Sequence, residues 1–332
     1  MADPFAFPFP PVVRIEPSAG CNLACHHCLT GTVKMARGIM KDEVFRRILD
    51  GLEAHRDNIR AVVMYHGGEP LLHRRFTGMV REVKAIGIPF VKTVSNGMLM
   101  TDAMIAGLVD CGLDGIEFSL DGDSPEVSNL VRRDSDAAAI VANVKRLLDR
   151  KRTTGAAKPD VTICQVVFVD PERYVAERQD ARFADPEVYL DGHSQEPAAW
   201  VAEAFSGPYE GMVDYKVNWA YRWPNIEVDE EVFGTFRDPF DDQDKDSCDL
   251  LVNTVTVRAD GGVVPCCFDV NSRMVMGNIL DDGLDTIWNN GSFRKLRGSI
   301  ARKDYAPLCS ECYFVRPYVF LTLKPKALEK TQ

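Results

Sequence analysis

A chain of 332 residues with ordinary apolar content has room for one large domain, a small one and a sizeable core. Its net charge of −10 and lack of a basic stripe argue against nucleic acid and anionic membrane as main partners. No apolar run approaches a membrane span, and Met1–Pro11 lacks the basic region and apolar core of a signal peptide. Most of the ten cysteines group as a triad, a doublet and a C-x-x-C pair, which reads as metal ligation in a reducing, cytoplasmic compartment.

After a Phe/Pro-rich lead-in, a first strand at Val12–Glu16 runs into Cys21-Asn22-Leu23-Ala24-Cys25-His26-His27-Cys28. Crowded thiolates select soft metals or iron–sulfur clusters. A closed zinc site usually takes four ligands, commonly as two separated pairs. Three thiolates on a cubane leave one iron open to a ligand the protein does not supply. Zinc held by the three cysteines with His26 or His27 is the competing reading.

From Val12 to about Trp219 short apolar strands alternate with amphipathic stretches. Strands are expected at Val12–Glu16, Ala61–Tyr65, Phe90–Ser95, Gly115–Leu120, Val161–Val169 and Tyr215–Trp219. Helices are expected at Lys41–His55, Phe76–Ile86, Thr101–Val109, Asp136–Arg152 and Pro197–Phe205. Six such units predict an α/β fold with a parallel sheet and right-handed crossovers, two units short of the eight-stranded barrel. Chemistry in such sheets gathers at the carboxyl ends of the strands, where the triad falls.

The second strand ends in Tyr65-His66-Gly67-Gly68-Glu69-Pro70, whose glycines permit close backbone approach. The third ends in Ser95-Asn96-Gly97 and the fourth in Ser119-Leu120-Asp121-Gly122. Polar strand ends suit the hydroxyls of a ribose, although Asn-Gly and Asp-Gly are also common turn pairs. Ser128–Arg133 adds a guanidinium, with Arg132 preferred over Arg133. The fifth strand puts Thr162, Cys164 and Val166 on one face and Ile163, Gln165 and Val167 on the other. If Gln165 faces the barrel it meets cofactor or substrate. If Cys164 does, its thiol can give a hydrogen atom to a carbon radical, though a small buried hydrophobe is the plainer role. Cys111, beside Gly112, reads as packing.

Pro171–Gly192 is polar and without period, and is expected to pass over the barrel mouth. Asn218–Asn225 is aromatic-rich, to stack on substrate or close the barrel. The aspartate-rich run from Asp238 to Asp249 reads as a solvated linker and a domain boundary. Beyond it, Thr254–Val257, a turn at Asp260-Gly261-Gly262 and Val263-Val264 predict a hairpin that returns Cys266 towards Cys248. Cys309-Ser310-Glu311-Cys312 completes four thiols, for a zinc site or a [4Fe–4S] cluster.

C-x-x-x-C-x-x-C after a first strand, with the ring of His27 before the third cysteine and G-G-E-P after the second strand, resembles the radical S-adenosylmethionine (SAM) superfamily. The resemblance implies a partial (β/α)6 TIM-like barrel, with Cys21, Cys25 and Cys28 holding a [4Fe–4S] cluster whose open iron chelates SAM. It implies that Gly67, Gly68 and Glu69 serve the SAM amino group, that Ser95, Asn96 and Ser119 meet the ribose, and that Arg132 pairs with the SAM carboxylate. Reduction by a flavodoxin- or ferredoxin-type donor then releases a 5′-deoxyadenosyl radical that takes hydrogen from a substrate. Cys248, Gly261, Cys266, Cys309 and Cys312 resemble the SPASM accessory domain in its shorter twitch form. That implies one auxiliary [4Fe–4S] cluster on Cys248, Cys266, Cys309 and Cys312, with Cys267 spare. The expected organisation is a lead-in (1–11), barrel (12–237), acidic linker (238–247), twitch/SPASM domain of β-hairpin plus helix (248–316) and C-terminal tail (317–332).

A cluster fully ligated by protein accepts an electron rather than a substrate, which points to oxidation. The expected reaction converts a polar hydroxylated small molecule, of sugar or aminocyclitol type, to a ketone. Return of hydrogen by Cys164 or Cys267 would make it an epimerisation, so Cys164 and Gln165 are the candidate catalytic residues. The alternative is a maturase of a peptide or protein, by thioether formation, epimerisation or sulfatase-type oxidation. A first strand at about Val12 is expected to leave no room for a leader-recognition domain, which lowers that alternative. A zinc-stabilised binding protein is the reading from another class.

Overall fold

The computed structural model describes residues 3–180, 196–242 and 244–329. Six strands fall where the alternation places them: β1 (Val12–Ile15), β2 (Ala61–Val63), β3 (Phe90–Ser95), β4 (Gly115–Ser119), β5 (Asp160–Val167) and β6 (Asp214–Trp219). Each lies parallel to the next, as strand–helix–strand crossovers require. Helices Asp42–Ala54, Phe76–Ala85, Asp102–Asp110 and Ala137–Thr154 connect them. Local chemistry sets their bounds. In the last, Asp136 caps the first turn by accepting from Ala139 N at 3.1 Å, and Gly155 ends the helix at φ 70°.

Strand period two divides the sheet into two faces. Val13, Ile15, Val62, Val91, Ile116, Phe118, Val161 and Ile163 are buried in one core with Ile48, Leu52, Val80, Leu108, Val144 and Leu147 of the helices. Arg14, Lys92, Glu117, Cys164 and Lys216 occupy the alternate positions and are only half-buried. They line the inner face of a partial barrel. The triad and the polar strand ends sit at its carboxyl rim.

The structure differs from the sequence reading in four places. Pro171–Asp180 is a helix rather than an irregular excursion, capped by Asp170, which accepts from Glu172 N and Arg173 N. The rest of that excursion, 181–192, lies outside the described residues. The acidic run is not simply solvated, because its aspartates have distant partners. Asp238 is buried and accepts from Tyr174 OH at 2.9 Å, Asp241 accepts from Tyr318 N at 3.2 Å, and Asp244 pairs with Arg316 at 2.5 Å. The C-terminal stretch is not a trailing tail. A strand β7 (Phe233–Arg237) pairs antiparallel with a strand at Val319–Leu323 to form a second, two-stranded sheet.

The fourth difference is the hairpin. It is present as β8 (Thr254–Val257) and β9 (Gly262–Val264), but it is part of the barrel sheet. β8 lies parallel to β1, with Val12 opposite Thr254 and Ile15 opposite Val257. With β10 (Gly277–Asn278) the sheet has nine strands, ordered β10-β9-β8-β1-β2-β3-β4-β5-β6. The lead-in is also tied down. Arg297 donates to Phe5 O at 3.0 Å and to Leu251 O at 2.9 Å, and Trp288 Nε1 donates to Pro8 O at 2.8 Å. Among the described residues no helix is long and apolar enough to cross a membrane.

Candidate active site

The loop after β1 is held by its neighbours, so its three thiols are positioned before any metal arrives. Ala24 N donates to Arg133 O at 3.1 Å and His26 N to Val131 O at 2.9 Å, which pins the loop to the end of helix Pro125–Val131. Cys21 Sγ accepts from Leu23 N at 3.4 Å and from Asn96 Nδ2 at 3.7 Å. Burial pushes the Cys25 thiol up to about 12, with Cys28, Asp121 and Cys21 pushing the same way against Arg132. One buried and two half-buried thiols gathered on one loop are a donor set that a cationic cluster can satisfy.

The G-G-E-P turn is stitched against this loop. A Cβ on Gly68 would lie 2.2 Å from Ser18 O and 2.4 Å from Gly20 O, so only glycine fits. Glu69 N donates to Gly20 O at 2.8 Å, Gly67 N donates to Glu16 Oε1 at 3.0 Å, and Gly67 O accepts from Thr30 Oγ1. The Glu69 side chain is consumed inside the protein. Its Oε1 accepts from Leu71 N at 3.0 Å and Ser95 Oγ at 2.9 Å, and its Oε2 from Asn96 N at 2.8 Å. It therefore joins the exits of β2 and β3 instead of presenting a free carboxylate.

Arg132 already has a partner within the chain, and Gln165 departs from expectation. Arg132 Nη1 lies 2.7 Å from Asp121 Oδ2, so the guanidinium already has a carboxylate of its own chain. His27 Nε2 approaches the same oxygen at 3.3 Å. Burial works against the Asp121 charge, yet Arg132 and His27 hold its carboxyl well below the usual range. The buried Nε of Arg132 has no partner. Gln165 does not face the barrel interior. It is fully buried on the face of Val161 and Ile163, donating from Nε2 to Gly122 O at 2.5 Å and accepting from Ala198 N at 2.9 Å. Its catalytic assignment is corrected: both ends of the amide clamp backbone.

Cys164 does face the interior, in register with Ser119 of β4 and Lys216 of β6. Asn218 Nδ2 approaches its sulfur at 3.7 Å. Burial pushes this thiol up to about 11, so it stays protonated at neutral pH. Two residues below Ser119 on β4, Glu117 meets Lys92 at 2.6 Å and Lys216 at 3.8 Å. Burial would raise the Glu117 carboxyl, but these ammonium groups outweigh it and hold it below its usual range. The sequence reading missed this cluster. Its signal was a single charge at an inner position of strands that are otherwise largely apolar.

Cys248, Cys266, Cys309 and Cys312 line one small cavity of about 20 Å³. Its other walls are apolar, Leu250, Leu251, Phe268, Leu308 and Val315 among them. Burial pushes the Cys248 thiol up to about 11 and the Cys309 thiol to about 12, and the neighbouring thiols add to both. Four thiols in one apolar-lined pocket fit a fully ligated cluster. Cys267 does not line the cavity and instead meets the Arg14 guanidinium. Among the described residues no three His, Cys, Asp or Glu side chains converge on a single-ion site.

Glu16 joins the two thiol regions. Its Oε2 accepts from Arg258 Nε at 3.2 Å and from Ala259 N at 3.1 Å, both on the hairpin, while its Oε1 holds the G-G-E-P turn.

A parallel partial barrel with a thiol triad on its rim and a four-thiol pocket beside its first strand defines an iron–sulfur enzyme architecture. The chain carries a radical SAM superfamily domain over residues 15–159 and an iron–sulfur cluster-binding domain of the SPASM type over residues 248–313. Its cofactors are [4Fe–4S] clusters and SAM. The chain is 28% identical to the tungsten-containing aldehyde ferredoxin oxidoreductase cofactor-modifying protein of Pyrococcus furiosus, over 90% of this chain and 86% of that protein. It is 25% identical to the mycofactocin maturase MftC of Mycobacterium ulcerans, over 90% and 78% of the two chains. The fold resembles BtrN in complex with AdoMet and 2-DOIA, with a TM-score of 0.56 at 17% identity over 92% and 94% of the chains. It also resembles Streptococcus suis SuiB bound to S-adenosylmethionine, with a TM-score of 0.57 at 15% identity over 92% and 73%.

Proposed function

We propose that this chain is a radical SAM oxidoreductase. Cys21, Cys25 and Cys28 would hold the SAM-binding cluster, and Cys248, Cys266, Cys309 and Cys312 the auxiliary one. When bound, the reduced cluster and SAM supply a hydrogen-abstracting 5′-deoxyadenosyl radical, and the auxiliary cluster supplies an electron acceptor. The observation that carries this reading is the pair of thiol sets: three on the open rim, four enclosed in an apolar cavity.

The chain's own residues bind, orient and exclude water. The Gly67 and Gly68 backbone lies against the triad loop, and the Glu69–Ser95–Asn96 network fixes that rim. Arg132, committed to Asp121 through Nη1, has its Nε left to offer the SAM carboxylate. Ser119 and Asn96 stand at strand ends suited to the ribose. The substrate enters the polar inner face. Glu117 is held ionised and is a weak base, so its role there is orientation. Loss of a hydrogen atom, a proton and an electron from a hydroxyl-bearing carbon gives a ketone. Return of a hydrogen atom from the protonated Cys164 thiol to the carbon radical would give an inverted centre and leave a sulfur radical, restored by one electron from the external reductant and one proton, and the interior position of Cys164 favours this as the second reading.

A polar inner face suits a hydroxylated small molecule of the sugar or aminocyclitol type. Near full-length similarity to a cofactor-modifying protein and to a maturase supports a residue within a precursor as the alternative substrate. The test is anaerobic reconstitution followed by product analysis in deuterated buffer, with small-molecule and precursor-peptide panels. About eight irons per chain are expected for two cubanes. Substrate-dependent 5′-deoxyadenosine supports the reading. A colourless zinc protein without it contradicts the reading.

A further inference from the structure

The chain as a whole carries a net charge of −10, yet the floor of its barrel carries the opposite sign. Arg14 on β1, Lys92 on β3 and Lys216 on β6 share the inner face with one carboxylate, Glu117 on β4. Lys92 takes that carboxylate at 2.6 Å, while Lys216 stands off its other oxygen at 3.8 Å and keeps 43% of its side chain exposed. Arg14 meets the Cys267 thiol but forms no ion pair with a carboxylate among the described residues, and its Nε is buried without a hydrogen-bond partner. Its guanidinium lies 5.5 Å from the Tyr65 ring centre. The Tyr65 phenol is in electrostatic reach of Arg14, Glu117 and Lys216, so the four side chains form one cluster. Thr256 Oγ1 on β8, in register with Arg14, is also buried without a partner.

Three cations against one anion leave an excess of two positive charges on a half-buried strand face. Desolvated charge is costly unless it is paired, and a guanidinium with an unpartnered N–H suits an oxygen of a carboxylate or a phosphate. We infer that Arg14 and Lys216, with Tyr65 and Thr256 as hydroxyl partners, form a subsite for an anionic group of the substrate, a carboxylate or a phosphate. Lys92 neutralises Glu117, and Glu117 in turn spaces Lys216 for the ligand. The subsite would place the reacting carbon between the anchored anion and the rim. This deepens the oxidoreductase reading and rests on it for the substrate's position, but not for the anion's binding.

The experiment is equilibrium dialysis of reconstituted holoprotein with SAM present, using labelled inorganic phosphate and labelled acetate at constant ionic strength in chloride. Saturable binding of at least one probe is expected. Binding should weaken at least tenfold in Arg14→Gln and in Lys216→Gln, and strengthen severalfold in Glu117→Gln. The Glu117→Gln arm separates charge from folding, because a merely damaged site would lose affinity there too. Phosphate binding alone assigns a phosphorylated substrate, acetate binding alone a carboxylate, and both assign the anion subsite without further selectivity. Absence of saturable binding overturns the inference, as does equal weakening in all three variants. Dithionite-driven SAM cleavage in the same preparation keeps the two ideas apart. Cleavage without anion binding sinks only the subsite, and anion binding without cleavage sinks only the oxidoreductase reading.

Discussion

Glu16 and Arg258 form a buried ion pair at 3.2 Å that binds the first barrel strand to the C-terminal hairpin. The same carboxylate holds Gly67 N, so one side chain fixes the G-G-E-P turn and the auxiliary region together. Removing one partner of a buried pair leaves an uncompensated charge, at a cost of about 3–5 kcal/mol. Arg258→Met is therefore expected to lower holoprotein stability by that order, read by chemical denaturation. It should also slow SAM cleavage, because the turn loses its anchor. Loss of stability below about 1 kcal/mol would show that the pair is not the joint.

Gly68→Ala tests the close approach at the rim. A methyl 2.2 Å from Ser18 O forces two backbone segments apart, so SAM cleavage should fall by more than tenfold. Gly78→Ala is the contrasting case. Gly78 lies within helix Phe76–Ala85 with open space where the methyl would go, and the change should stabilise by about 0.5–1 kcal/mol. Similar behaviour of the two variants in thermal unfolding would contradict the steric argument.

Glu117 sets a pH signature. Burial opposes its charge, but Lys92 and Lys216 prevail, and its folded-state pKa lies below the usual 4.5. Its contribution to stability is therefore fully present above the unfolded value and is lost as pH falls through the folded one. The stability difference between wild type and Glu117→Gln should stay level near neutral pH and shrink below about pH 4.5. A difference that instead grew on acidification would reverse the sign of the assignment.

Cys164, with its thiol up to about 11, should react with iodoacetamide slowly at neutral pH. Its rate should rise about tenfold per pH unit towards that value. If hydrogen return occurs, Cys164→Ala should abolish incorporation of solvent deuterium and leave the oxidised product. A variant that still inverts the centre would remove Cys164 from that role.

The legible parts of this chain were local. Cys21, Cys25 and Cys28 lie within eight residues, and six strands announced themselves by alternation. The hairpin was legible from its turn, but its place beside β1 was not, since nothing local says that Thr254 pairs with Val12. The cationic floor needs four strands in register before Arg14, Lys92, Glu117 and Lys216 meet. Gln165 was readable in principle, since it shares a face with Val161 and Ile163, and an apolar face turns towards the helices. The acidic run hid its structure because its partners Tyr174, Tyr318 and Arg316 lie some 60 to 80 residues away.

The auxiliary thiols make a separate prediction. Cys309→Ala with Cys312→Ala should roughly halve the iron content from about eight. SAM cleavage should persist in that variant while oxidised product disappears. Persistence of product with half the iron would remove the four-thiol pocket from the reaction.

The most direct test of the central claim is 5′-deoxyadenosine formation from SAM by the anaerobically reconstituted chain with dithionite. Formation is expected in the wild type and none in Cys21→Ala, Cys25→Ala or Cys28→Ala. An iron-loaded wild type that leaves SAM intact, or a triad variant that still cleaves it, would contradict the account.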